Sequence, residues 1–108
     1  MFVGVYRIDL FFPASQSLKA KRSILNSLKA RLSNLGVAVS EVDGQDLWQR
    51  AELGVAAVSA DATYLDDLAG RIESVLVREP RATVLRLERL VRPVEFDPVP
   101  YDFSEGES

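Results

Sequence analysis

The chain reads as an α+β domain, four strands and two helices in the order βαββαβ, and three observations predict it. Stretches rich in Val, Phe, Tyr and Leu stand at residues 2–12, 37–43, 51–60 and 83–93. Between the first and second, and again between the third and fourth, apolar residues recur at helical spacing. Each helical stretch opens on a capping residue and closes on a breaker, Ser17 and Gly36 for the first and Asp61 and Pro80 for the second.

The first strand, 2–12, ends at Pro13, which has no N–H to give to a ladder. Its alternation puts Phe2, Tyr6, Ile8, Leu10 and Phe12 on the core side and Val3, Val5, Arg7, Asp9 and Phe11 on the other. From Ser17, Leu18, Ile24, Leu25, Leu28, Leu32 and Leu35 fall within an arc of about 120°, the width expected of a helix laid on a sheet. Residues 37–43 (VAVSEVD) form a short second strand, and the small side chains of AELGVAAVSA, 51–60, form a closely approached third. The second helix carries Tyr64, Leu65, Leu68, Ile72, Val75 and Leu76 on one stripe. In the last strand, Leu85, Leu87 and Val91 alternate with Arg86, Glu88 and Arg92. This order is the split βαβ pattern of ferredoxin-like sandwiches: a four-stranded antiparallel sheet with two helices on one face and the other face open.

Composition limits the function. A length of 108 residues suits one domain, with 1–94 as the folded body and 95–108 as an acidic, flexible tail. The tail holds Glu95, Asp97, Asp102, Glu105 and Glu107 with no Lys or Arg, so the net charge of −3 hides a mildly basic body. Phe96, Tyr101 and Phe103 are the residues able to anchor that tail on the domain. There is no Cys and no His. Thiolate chemistry is excluded, general-base work is left to Asp, Glu, Lys or Tyr, and no pair of these has a spacing that singles it out. Phosphate-loop and zinc-protease motifs are absent, so the chain reads as a non-enzyme without cofactor or metal. The apolar N-terminus, broken by Arg7 and Asp9, reads as a strand and not as a signal peptide, and no stretch has the roughly 20 apolar residues of a membrane span.

Two stretches stand out. SLKAKR, 17–22, loads Lys19, Lys21 and Arg22 into the first turns of a helix, where the macrodipole favours acids. Lys21 falls inside the apolar arc, where an overhang beyond the sheet lets its ammonium reach water. One reading is a solvated basic face. The other is an anion site in which these cations, with Lys29, Arg31 and the free N–H groups of the helix start, attract phosphate. Arg7, Arg86 and Arg92 on the open face extend the same reading to an RNA backbone. EVDGQDLWQRAELG, 41–54, concentrates acids around one turn. Glu41, Asp43 and Asp46 offer hard oxygen ligands, but turn chemistry accounts for this stretch better than a Mg²⁺ site does. Trp48 reads as a core or dimer anchor before a base-stacking platform, with Gln49 beside it and Arg50 paired to Asp46 or Glu52.

SLKAKR and EVDGQDLWQRAELGVAAVS together closely resemble the YlxP-like family of small bacterial proteins, a domain of unknown function, over about residues 1–93. The resemblance implies a ferredoxin-like fold, a cytoplasmic protein and a link to translation, with ribosomal RNA or a ribosomal subunit as partner. It defines no catalytic residue. A non-enzymatic RNA- or ribosome-associated accessory protein is therefore the expectation, against a homodimeric scaffold or small-ligand sensor built on Trp48 and the sheet face.

Overall fold

The computed structural model describes residues 1–102; the expectations for Phe103, Glu105 and Glu107 lie outside the described residues. β1 (Phe2–Phe11), α1 (Leu18–Ser33), β2 (Ala38–Asp43), β3 (Arg50–Ser59), α2 (Ala62–Val77) and β4 (Thr83–Pro93) follow in the expected order, with strand ends within a residue of expectation. The strands form one sheet in the order β2-β3-β1-β4. Every neighbouring pair is antiparallel. This is the ferredoxin-like arrangement, in which the first and third strands occupy the centre.

Both helices start where side chains replace missing intrahelical partners. The Ser17 Oγ accepts from the Ala20 N–H at 3.0 Å, and Asp61 Oδ1 accepts from the Thr63 N–H at 2.9 Å. Gly36, with φ of +80°, makes the left-handed turn that leads from α1 into β2. The apolar stripes then meet the sheet. Tyr6, Ile8, Leu10 and Phe12 pack between Leu25, Leu28 and Leu32 of α1 and Leu65, Leu68 and Ile72 of α2, all of them essentially inaccessible to water. Burying side chains of this size contributes about 1.5–3 kcal/mol each. The Tyr6 hydroxyl donates to the Leu65 carbonyl and so ties β1 to α2. Burial raises the pKa of that phenol.

Two expectations about facing are corrected. Leu85 is 49% exposed, because the β1–β4 register shifts between Asp9 and Leu10 and brings Val84, not Leu85, opposite Leu10. A bulge reverses the alternation on its far side. Tyr64 lies off the core stripe of α2 and instead receives the Arg71 guanidinium over its ring, 5.7 Å from the centroid.

Glu79, just beyond α2, is buried and accepts from Arg81 at 2.7 Å and from Arg31 of α1 at 2.9 Å, which locks the α2–β4 connection to α1. At the start of β1, the Val94 N–H donates to the Met1 carbonyl at 3.0 Å, so the chain leaves β4 beside the point where β1 begins. No helix or strand follows Pro93 among the described residues, and Phe96 and Tyr101 are exposed. No helix among the described residues is long and apolar enough to cross a membrane.

Candidate functional site

The two unusual stretches of sequence meet at one end of the sheet. β1 ends there, α1 begins there, and the connection between β2 and β3 turns there. Gly44, with φ of +82°, starts that turn; its carbonyl accepts from the Leu47 N–H at 3.0 Å, and its N–H donates to Asp43 Oδ1 at 2.8 Å. Gln49 fastens the turn to the β1–α1 loop, donating from Nε2 to the Pro13 carbonyl at 3.1 Å and accepting from the Phe12 N–H at 2.8 Å.

Lys21 is the link between the two stretches, and here the sequence expectation is corrected. Its side chain is 1% exposed. The ammonium donates to the Gly44 carbonyl at 2.7 Å, the Arg50 carbonyl at 3.1 Å and Glu41 Oε2 at 3.4 Å, filling all three of its donor directions. The helix does not overhang into water, because the β2–β3 turn covers it. A lysine in the first turn of a helix is tolerated when a carboxylate and two carbonyl dipoles surround it. Lys21 therefore holds a turn in place and is not available to a phosphate.

The other cations divide into two groups. Arg7 is engaged by Glu88 at 3.3 Å and Glu52 at 3.7 Å, and Arg86 by Asp9 at 3.3 Å and Glu88 at 3.5 Å. These two arginines belong to a charge ladder on the open face, and their neighbours cancel the field that an RNA backbone would feel. Arg31 is likewise held, by Glu79. Lys19, Arg22 and Lys29 of α1 enter no ion pair among the described residues, and elsewhere in the fold the same holds of Arg50, Arg71, Arg78 and Arg92. At 100° per residue Arg22 and Lys29 project from the flank of α1 opposite Arg31, and so away from α2.

Trp48 is 56% exposed and Leu47 52% exposed, so the tryptophan is not a core residue. The expected pairing of Arg50 with Asp46 or Glu52 does not form: Glu52 turns to Arg7, and Arg50 meets no acid among the described residues. Asp9, Asp43 and Glu52 instead join Arg50 around a cleft of about 280 Å³ on the sheet side of the turn. Asp9 and Glu52 are already paired with Arg86 and Arg7, which leaves Asp43 and Arg50 to balance one another in its wall, so the cleft offers a phosphate no surplus of positive charge. Among the described residues no three Asp or Glu side chains converge as metal ligands. The basic side of the site is thus the helix side, and the exposed tryptophan stands on the turn that Lys21 fixes.

Sequence reasoning missed the pairing of Lys21 with Glu41. The signal was present, since Glu41 shares the inward parity of Val39 on β2 just as Lys21 shares the apolar arc of α1. A buried cation on one element and an inward acid on its neighbour call for each other.

The model of a family described as "Protein of unknown function (DUF503)" matches residues 3–89. The chain is 35% identical over 89 residues to "Uncharacterized protein YlxP" of Bacillus subtilis (strain 168), covering 80% of this chain and 97% of that protein. Among solved structures, a de novo designed protein with ferredoxin fold aligns over 94% of both chains at 13% identity, with a TM-score of 0.45.

Proposed function

Because the chain belongs to the DUF503 family, whose function is unknown, we propose its role from the site itself: a non-enzymatic, cytoplasmic RNA- or ribosome-associated accessory protein. Lys19, Arg22 and Lys29 contact phosphates along α1, and Trp48 stacks on an unpaired base at the adjacent turn. The observation that carries this reading is the gathering of three cations without acid partners on α1, beside the Trp48 turn. Lys21, Arg7, Arg86 and Arg31 are neutralised by partners within the chain, whereas Lys19, Arg22 and Lys29 meet no acid among the described residues, and they lie on the helix whose first turn braces the Trp48 turn. Phosphate attraction combined with one aromatic platform is the pattern of single-stranded RNA binding.

The test is titration of single-stranded RNA, and of ribosomal subunits, across a salt series from about 50 to 200 mM. Replacing Lys19, Arg22 and Lys29 with Ala lowers the slope of log K against log salt by about 2, at about 0.7 for each phosphate no longer neutralised. Trp48→Ala weakens binding by about 1–3 kcal/mol and leaves the slope unchanged. Absence of binding at low salt, or a triple variant with the wild-type slope, overturns the reading.

A further inference from the structure

The face of the sheet opposite the helices is uncovered, and it has two halves. Toward the start of β1 it is largely apolar: Val3 pairs across to Val58 and, on its other side, to Arg92, and Val5 to Ala56 and Leu90, with Val5, Val58 and Leu90 42%, 64% and 47% exposed. Toward the end of β1 it is the charge ladder, in which Arg7 and Arg86 alternate with Glu52, Glu88 and Asp9 at 3.3–3.7 Å. Beside Val5 and Leu90 a cleft of about 270 Å³, lined also by Arg7 and Glu88, leaves room for an inserted side chain.

We infer that this face is the dimerisation surface of the protein, and that its occupant is the same face of a second copy, related by a twofold axis. Charge decides the kind of partner. A ladder of alternating signs has almost no net field, so it attracts neither a polyanion nor a protein of single sign. Its complement is a surface with the same alternation, beside an apolar half of the same extent. An isologous interface whose twofold axis runs along the strands supplies both, because it lays apolar half on apolar half and ladder on ladder, each residue meeting one from the other side of the axis.

The area is sufficient. Strands of 10, 6, 10 and 11 residues, about 4.8 Å apart and at about 3.3 Å per residue, give a face of roughly 600 Å², hence roughly 1,200 Å² over two copies. Specific interfaces begin at about 1,000–1,200 Å². The layout also has the required anatomy, since β1 and β3 are the central strands and put Val5 and Ala56 at the middle of the face. The small side chain of Ala56 keeps that middle shallow, and the Val42 side chain of β2 leans over Gly54 beside it, so that two twisted sheets can approach to the usual separation of about 10 Å. The basic flank of α1 lies on the opposite layer and stays free in such a dimer, which would present two copies of it facing outward.

Light scattering after size exclusion tests this on the full chain over a range of concentrations. The wild type is expected at twice the 12.0 kDa chain mass, and Val5→Glu combined with Leu90→Glu at the chain mass. Opposing buried carboxylates raise the dimer Kd by about a hundredfold or more. Both residues are exposed in the single chain, so circular dichroism and the melting curve of the variant confirm that it remains folded. The Lys19, Arg22 and Lys29 triple variant remains a dimer, which separates failure of this inference from failure of the RNA reading. A wild type that stays at the chain mass throughout, or a double variant that stays dimeric, overturns the inference.

Discussion

Replacing Lys21 with Met removes the group that holds the β2–β3 turn against α1, and its cost can be worked from its hydrogen bonds. The ammonium satisfies two carbonyls, at 2.7 and 3.1 Å, and the Glu41 carboxylate at 3.4 Å. The Glu41 side chain is itself only 9% exposed, so the substitution leaves a carboxylate with little access to water and no counter-charge. Breaking a buried pair from one side costs about 3–5 kcal/mol. The turn sits at the rim of the sheet and can open toward solvent, which sets the expected loss at the lower end, about 3 kcal/mol. For a domain of this size that is a fall in Tm of about 12–24 °C. Urea and thermal unfolding measure it. Adding Glu41→Gln to the same chain removes the stranded charge and recovers about 1–2 kcal/mol, a coupling of the size seen between touching residues. Hydrogen exchange adds a local readout, since the Leu47 amide, bonded to Gly44, loses protection before the core strands do. A loss below about 1 kcal/mol in Lys21→Met, with no recovery from Glu41→Gln, would refute the view that this lysine is a buried brace.

Two further predictions concern the core and its edge. The Glu79 carboxyl is held at about 2 by hydrogen bonds from Arg81, against the opposing effect of burial and with help from Arg31. A folded pKa below the ordinary 4.5 means that ionised Glu79 stabilises the fold fully above about pH 4.5 and that this contribution disappears as the pH falls to about 2. Glu79→Gln therefore costs about 2 kcal/mol at neutral pH, and unfolding free energies of variant and wild type converge near pH 2; parallel curves would exclude the linkage. Gly4→Ala places a Cβ 2.6 Å from the Tyr6 hydroxyl, which is buried and committed to Leu65. It destabilises by about 1–3 kcal/mol, and adding Tyr6→Phe costs less than the two changes summed, as measured by melting curves; strict additivity would count against the clash.

The elements of this fold were legible because each was specified twice, by hydrophobic period and by its terminating residue. Ser17, Gly36 and Asp61 act as their chemistry requires. What escaped was everything that depends on how two elements meet. The alternation of β4 gave no sign of the bulge that turns Leu85 outward, because the shift arises in its pairing with Asp9 and Leu10 of β1. The cations of α1 could be counted but not sorted, since whether a lysine faces water or a carbonyl depends on a turn more than twenty residues away in the chain. Trp48 shows the same limit in reverse: large aromatics are usually buried, and only the placement of its turn beyond the sheet leaves it exposed.

The hydrogen bond from Val94 to Met1 has a practical consequence for handling the protein. It puts both the first residue of the fold and the exit from β4 at one pole of the sheet, whereas Lys19, Trp48 and Arg50 belong to the other. The ten residues of β1 separate the poles by about 30 Å at about 3.3 Å each. A fluorophore, affinity tag or surface tether attached before Met1 or grafted after Val94 thus sits a full strand length from the cationic end. Binding assays on immobilised protein then read that end without obstruction.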